Sequence, residues 1–168
     1  MNQKPRILVV DDEEVVRDSL HEWFTEDGYP VETAADAREA LKIMSKTSRD
    51  IVLVDIKMPG MDGLELQEKI KELVPEAVII IMTAYASVDT AVRALKAGAY
   101  DYVTKPFDPD DLQHLIDKAA ERQQLVRENR QLRQKIEAAE GEMGEIVGES
   151  PAIRALKTQI RTVGQTDA

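Results

Sequence analysis

The chain has 168 residues, of which 43% are hydrophobic and 32% are charged, and the absence of cysteine excludes disulfides and thiolate chemistry. No apolar run could cross a bilayer and no signal peptide is recognisable, so we expect a soluble, cytoplasmic protein with one domain and additional segments. The net charge of −10 resides in the first 120 residues, with 14 Lys+Arg against 24 Asp+Glu, which argues against binding of nucleic-acid phosphates.

Five short apolar runs alternate with stretches of helical periodicity along these 120 residues. The runs are RILVV (Arg6–Val10), PVETA (Pro30–Ala34), IVLV (Ile51–Val54), AVIII (Ala77–Ile81) and YDYV (Tyr100–Val103). Apolar residues spaced three and four apart follow each run, as in Val88, Val92 and Leu95 after the fourth. Alternating βα units predict an α/β fold: a doubly wound, flavodoxin-like, five-stranded parallel sheet with helices on both faces.

A long helix is predicted after the fifth run. No Gly or Pro occurs from Asp110 to Ala139, which gives a helix of about 45 Å. Its later apolar positions alternate steps of four and three: Leu125, Asn129, Leu132, Ile136 and Ala139. This pattern indicates a coiled-coil seam with Asn129 at an a position, which favours pairing of two copies; a solvated helix with incidental leucines is the alternative. Gly141 and Gly144 are predicted to end the helix.

Charged and hydroxyl side chains follow four of the five predicted strands. Asp11 and Asp12 follow the first strand, Asp55 the third, Thr83 the fourth and Lys105 the fifth. Because ligands of open α/β sheets bind beyond the carboxyl ends of the strands, we expect these side chains to meet there. Taken singly, each has an ordinary alternative: a helix cap for Asp11 or Asp12, a turn cap for Asp55, a loop hydroxyl for Thr83 and a solvated lysine for Lys105.

The joint placement of these residues predicts a phosphoryl-transfer site. Three carboxylates repel one another and raise one another's proton affinity, so the cluster favours a bound cation. Oxygen ligands indicate a hard cation such as Mg²⁺. Asp55 is the candidate nucleophile that would form an acyl phosphate, with Thr83 and Lys105 contacting the phosphoryl oxygens.

These motifs resemble the receiver domain of two-component response regulators over about residues 4–122. The resemblance rests on VVDDE, VDIKMPGMDG, MTAY and DYVTKPF, which carry the residues just described. It implies that Asp55 accepts a phosphoryl group from a sensor histidine kinase, that Mg²⁺ is required, and that the backbone carbonyl of Lys57 is a further metal ligand. It also implies a cis peptide bond between Lys105 and Pro106. Tyr102 takes the position of an aromatic switch residue that responds to Thr83.

A second resemblance concerns the end of the chain. IVGESPAIRALKTQIRTVGQTDA is similar to the start of the AAA+ domain in the NtrC family, whose members activate the sigma-N form of RNA polymerase. This implies a receiver at 1–122, a coiled-coil linker at 123–140 and the truncated start of an AAA+ domain at 141–168, with a second helix beginning near Ser150. No G-x-x-x-x-G-K-[ST] loop is present, so we expect no ATPase activity, whereas the longer protein is expected to contact polymerase and DNA.

Two other functions compete with a phosphorylation-controlled receiver–linker dimer. The first is a stand-alone adaptor that only binds partners. The second is an aspartyl-phosphate hydrolase of the haloacid dehalogenase type, which requires a general-acid Asp two residues after the nucleophile. This chain has Lys57 at that position, which weighs against the hydrolase.

Overall fold

The structure, a computed structural model, describes residues 4–84 and 87–144, with side chains as far as 138. Within these residues five strands alternate with five helices: β1 Ile7–Val10, α1 Glu14–Glu26, β2 Val31–Ala34, α2 Ala37–Lys46, β3 Ile51–Asp55, α3 Gly63–Leu73, β4 Val78–Thr83, α4 Val88–Lys96, β5 Asp101–Thr104 and α5 Pro109–Gly144.

The five strands form one parallel sheet in the order β2-β1-β3-β4-β5, which confirms the predicted architecture. Strands β1, β3 and β4 are buried along their whole length, whereas β2 and β5 at the edges alternate between more and less exposed residues. The unbroken β-branched and aliphatic runs of β3 and β4 are typical of strands covered on both faces. Strand β3 therefore lies at the centre of the sheet, and Asp55 is its last residue.

Side chains alternate along each strand between two hydrophobic layers. Leu8 and Val10 of β1 join one layer with residues of α2, α3 and α4, whereas Ile7 and Val9 join the other with residues of α1 and α5. This is the period-two alternation expected of a strand, and it places helices on both sides of the sheet. The carboxyl ends of the five parallel strands share one edge of the sheet, which is where ligands of such sheets bind.

Helix α4 differs from the sequence-based expectation. Its periodic apolar residues Val88, Val92 and Leu95 are 80%, 41% and 44% exposed, and the buried residue of this helix is Ala94. The small Ala94 side chain faces the sheet layer, so the helix approaches the core through a narrow contact. Amphipathic periodicity predicted the helix, but its large apolar residues do not mark the side that packs on the sheet.

Helix α5 ends at Gly144, one of the two glycines predicted to end it, and continues through the other, Gly141. A glycine inside a helix costs about 1 kcal/mol relative to alanine but does not break hydrogen bonding, so Gly141 alone does not end the helix. The chain divides into one compact unit spanning Met1–Arg127 and a second spanning Glu128–Ala168. The predicted helix near Ser150 and the AAA+-like segment beyond residue 144 lie outside the described residues. Among the described helices, none is sufficiently long and apolar to span a membrane.

Candidate functional site

Three carboxylates converge at the carboxyl edge of the sheet. Asp11 directly follows β1, Asp12 follows it, and Asp55 ends the neighbouring strand β3. One carboxylate oxygen from each residue lies within 4.8 Å of the corresponding oxygens of the other two. Asp11 is fully buried, Asp55 is 5% exposed and Asp12 is exposed to solvent. The site therefore has a buried floor and one open side through which a ligand could enter.

Lys105, from the loop after β5, provides a positive charge within this cluster. Its Nζ lies 2.6 Å from Asp11 Oδ2 and 3.1 Å from Asp55 Oδ1. The Lys105–Pro106 peptide bond is cis, as the sequence resemblance implied. The backbone N–H of Lys105 donates to Thr83 O at 2.8 Å, which ties this loop to the end of β4. Four of the predicted site residues, three acids and one lysine, are thus brought together.

Asp11 is held by the start of α1 but does not cap that helix. Glu13 occupies the N-cap position without a side-chain cap, and its backbone N–H donates instead to Asp11 Oδ1 at 3.0 Å. Arg17, one turn later, donates from Nη1 to the backbone carbonyl of Asp11 at 2.8 Å. The helix-cap alternative for Asp11 is therefore wrong, because its carboxylate bonds an N–H before the helix begins and also reaches into the acidic cluster.

The pKa values of Asp55 and Lys105 depend on burial and ion pairing as well as on the repulsion between carboxylates that the sequence suggested. Burial is the largest influence on the pKa of Asp55 and raises it above the ordinary value of 3.8; Lys105 opposes this rise, and Asp11 and Asp12 add to it. For Lys105, burial alone would lower the pKa, but its contacts with Asp11 and Asp55 outweigh burial and raise the pKa above 10.5. Lys105 is thus held as a cation beside an acid that burial makes easier to protonate.

Thr83 and Tyr102 lie on the adjacent strands β4 and β5. Thr83 ends β4 and is 7% exposed, whereas Tyr102 pairs in register with Ile81 and is 37% exposed. Both residues line a narrow gap, too small for a water molecule, together with Ser87, the N-cap of α4, and Thr90 of that helix. The two predicted switch residues therefore lie beside the same gap. Lys57 is exposed in the loop after β3.

Two residues that the sequence interpretation did not single out also shape the site. Glu13 Oε1 lies 3.4 Å from Lys105 Nζ, a contact that its position directly after the acidic pair could have suggested. Gly63 begins α3 and donates its N–H to Ile56 O at 2.9 Å. A Cβ at Gly63 would lie 2.2 Å from the backbone oxygen of Asp55, so a side chain there would displace the end of β3. No signal in the sequence distinguishes this glycine from an ordinary turn glycine.

The donor set of the cluster fits a hard divalent cation. The three carboxylates of Asp11, Asp12 and Asp55 offer only oxygen, the ligand type that Mg²⁺ prefers. Asp11 Oδ2 is buried and makes no hydrogen bond of acceptable geometry, although the Lys105 ammonium lies close to it. A buried carboxylate oxygen with spare acceptor capacity is available to coordinate a metal. The residues present therefore suit magnesium.

Comparison with known proteins identifies the family. Residues 7–117 match the model of the response regulator receiver domain. Among curated proteins, the C4-dicarboxylate transport transcriptional regulatory protein DctD of Rhizobium meliloti is 36% identical over 167 residues, which cover 99% of this chain and 36% of DctD. The chain thus spans about a third of the length of the curated relatives it matches.

Solved structures give the same result. The crystal structure of NtrX from Brucella abortus in complex with ATP is 34% identical with a TM-score of 0.72, and the match covers 95% of this chain and 34% of NtrX. The solution structure of the beryllofluoride-activated NtrC4 receiver domain dimer is 41% identical with a TM-score of 0.67, and the match covers 70% of this chain and 98% of that one.

Proposed function

The chain belongs to the family of response regulator receiver domains, with relatives in the NtrC family of transcriptional regulators, and we propose that Asp55 is its phosphoryl acceptor. The observation that carries this proposal is the convergence of Asp11, Asp12, Asp55 and Lys105 at the carboxyl edge of β1, β3 and β5. The donor is a phosphohistidine on a sensor histidine kinase, and the cofactor is Mg²⁺.

Asp55 would act as the nucleophile. One of its carboxylate oxygens attacks phosphorus, an O–P bond forms, and the P–N bond of the phosphohistidine breaks with its electron pair passing to the imidazole nitrogen. A nucleophilic carboxylate must be ionised, and Lys105 at 3.1 Å favours the ionised form against the burial that opposes it. The only covalent change is the replacement of the P–N bond by an O–P bond. The rate of this transfer depends mainly on positioning the reactants and on neutralising the charge of the phosphoryl oxygens.

The remaining charges of the site complement the transferring group. Asp11, Asp12 and Asp55, with the backbone carbonyl of Lys57, would hold Mg²⁺, which when bound offsets the negative charge of the phosphoryl oxygens. Lys105 Nζ, now shared between Asp11 and Asp55, would turn one N–H to a phosphoryl oxygen. Phosphorylation adds a nearly dianionic group. Both Mg²⁺ and the Lys105 ammonium would therefore be needed to offset its negative charge.

Thr83 and Tyr102 form the proposed switch. The Thr83 hydroxyl would donate to a phosphoryl oxygen, and Tyr102 would move inward beside α4 towards Thr83. Tyr102 is partly exposed, and the gap between these residues and α4 is too narrow for its ring, so this movement would require α4 to shift. Moving a population from mostly inactive to mostly active requires about 5.5 kcal/mol of differential interaction, a sum within reach of several charge-assisted contacts.

In the longer protein, this switch would act through the linker helix on an AAA+ domain. Leu125, Leu132 and Ile136 of the proposed seam are 60%, 59% and 56% exposed, as expected of side chains that a second copy would cover. We propose that the linker spans 123–140 and that the AAA+ domain starts at 141–168; the matches to DctD and NtrX, which cover 99% and 95% of this chain, support a shared arrangement. Contacts with sigma-N RNA polymerase and with DNA, and a cytoplasmic location, belong to that longer protein.

Phosphorylation of the isolated chain tests this proposal. Incubation with acetyl phosphate and Mg²⁺ should add the mass of one phosphoryl group, and Asp55→Asn or removal of Mg²⁺ by EDTA should prevent the addition. Asp108→Asn, which changes an acid in the loop after β5, is the matched control and should be labelled normally. Repeated release of phosphate with no stable adduct would favour a hydrolase, and labelling of Asp55→Asn would contradict the assignment.

A further inference from the structure

Helix α5 is fastened to the receiver at the edge of the sheet opposite Asp55. Gln123 is 4% exposed, and its Nε2 donates to Asp50 O at 2.9 Å and to Glu76 O at 2.5 Å. Asp50 precedes β3 and Glu76 precedes β4, so one amide bridges the two loops that feed the central strands. A buried side-chain amide joined to two backbone carbonyls is a specific attachment and not an incidental surface contact.

Arg127, one turn after Gln123, adds a second attachment. Its Nη2 forms an ion pair with Asp50 Oδ1, while Asp50 Oδ2 accepts a hydrogen bond from the backbone N–H of Arg6 at 2.7 Å. The Asp50 carboxylate is therefore shared between the start of β1 and the helix. Gln123 and Arg127 are four residues apart and so lie on the same side of α5, the side that contacts the receiver.

The opposite side of the same turn carries the first residue of the seam. At 100° per residue, Leu125 is separated by about 160° around the helix from both Gln123 and Arg127. Its side chain is 60% exposed, whereas Gln123 is buried. The turn 123–127 thus has a polar side bonded to the receiver and an apolar side without cover among the described residues.

Charge complementarity identifies the occupant of that apolar side as a second copy of this chain in parallel register. With Leu125 and Leu132 at d and Asn129 at a, Glu128 takes a g position and Arg133 the following e position. In a parallel, in-register pair each g residue faces the following e residue of the other helix, so Glu128 would face Arg133 of the second copy, a residue of opposite charge.

We propose that the turn 123–127 is a two-sided joint, in which Gln123 and Arg127 anchor the linker helix to the receiver and Leu125 begins its parallel pairing with a second copy. The anchor pre-orders the turn, so less conformational entropy is lost when Leu125 is buried against the other helix. Gln123 and Arg127 are accordingly positioning residues for the dimer. This inference rests on the proposed pairing of the linker but not on the chemistry of Asp55.

Matched variants of the full chain test the joint. Gln123→Ala removes the anchor, Leu125→Ala removes the apolar side, and Gln131→Ala is the control, since Gln131 is an exposed glutamine of the same helix. Hydrogen exchange of residues 123–127 should accelerate about 2- to 10-fold in Gln123→Ala and not in Gln131→Ala, given the usual worth of a buried hydrogen bond. Sedimentation equilibrium should show a similar weakening of the dimer in Gln123→Ala and Leu125→Ala.

The outcomes separate the joint from the proposed function. Faster exchange with an unchanged dimer in Gln123→Ala would overturn the joint, because the anchor would then have only a structural role. Unchanged exchange would overturn the anchor itself. A wild-type chain that stays monomeric at every concentration would overturn the pairing and the joint together, whereas labelling of Asp55 by acetyl phosphate would still stand.

Discussion

Nζ of Lys105 lies 2.6 Å from Oδ2 of Asp11, a carboxylate whose side chain has no solvent exposure. A buried carboxylate is costly unless a cation compensates its charge. The ammonium of Lys105 does so, and it also reaches Asp55, so one lysine balances two acids from separate strands. The stability of the fold and the chemistry of the site therefore depend on the same ion pairs.

Lys105→Ala should destabilise the protein. The substitution leaves Asp11 without the ammonium that compensates it, so we expect the free energy of unfolding in EDTA to fall by about 1–3 kcal/mol. Mg²⁺ should restore part of the loss, because it neutralises the same carboxylates. Urea denaturation measures both effects, and Lys42→Ala, at an exposed position of α2, is the control. Equal stability of the two variants in EDTA would contradict the role given to Lys105.

Asp55→Asn should stabilise the metal-free protein at neutral pH. The pKa of Asp55 is raised above 3.8, chiefly by burial, so the folded state binds its proton more tightly than the unfolded state. The stability that Asp55 contributes is therefore complete below pH 3.8 and lost as the pH rises through the raised pKa. Asparagine mimics the neutral acid and does not incur this loss.

The measurement is urea denaturation of the wild type and of Asp55→Asn in EDTA, from below pH 3.8 to neutral pH. The advantage of Asp55→Asn should grow as the pH rises above 3.8. A variant that is less stable than the wild type at neutral pH would show that the Lys105 ion pair outweighs burial. Mg²⁺ should reduce the advantage, because it binds the ionised acid.

Gly63→Ala should disturb both the fold and the site. The new Cβ would lie 2.2 Å from the Asp55 carbonyl oxygen, so the start of α3 or the end of β3 must shift. We expect a loss of roughly 1–3 kcal/mol in the free energy of unfolding and slower labelling by acetyl phosphate. Gly60→Asn is the control: Gly60 has a φ of +83° with open space around it, and asparagine tolerates that conformation. Similar behaviour of the two variants would refute a steric role for Gly63.

Tyr102 should report the state of the switch. With fluorotyrosine incorporated, Mg²⁺ and beryllofluoride should shift the ¹⁹F resonance of Tyr102, because its partly exposed ring would move inward towards Thr83. Thr83→Ala should bind beryllofluoride yet lose most of this shift. Tyr102→Phe identifies the resonance. If Thr83→Ala retained the full shift, Tyr102 would respond to the ligand without the Thr83 hydroxyl.

The parallel sheet could be predicted from the sequence because its signal is local. Ile51–Val54 is an unbroken β-branched and aliphatic run, which indicates a strand buried on both faces, and its position between two helical stretches favours parallel neighbours. Because the carboxyl ends of parallel strands share one edge of the sheet, the chain order alone predicts that Asp55 lies near Asp11.

The features that the sequence could not predict depend on packing between elements. Helix α4 buries Ala94 and exposes Val92, because the contact with the sheet selects a small residue and periodicity alone cannot. The rise in the pKa of Asp55 owes most to burial, which requires the folded structure. Gln123 is attached to the loops before β3 and β4, which lie 73 and 47 positions away in the chain, and nothing local marks that glutamine.

A crystal structure with Mg²⁺ and beryllofluoride tests the central claim most directly. The account predicts beryllium bonded to a carboxylate oxygen of Asp55, the metal in contact with Asp11, Asp12 and Asp55, and Lys105 Nζ turned to a fluorine. Beryllofluoride bound elsewhere, or a metal site without Asp55, would contradict the assignment of Asp55 as the phosphoryl acceptor.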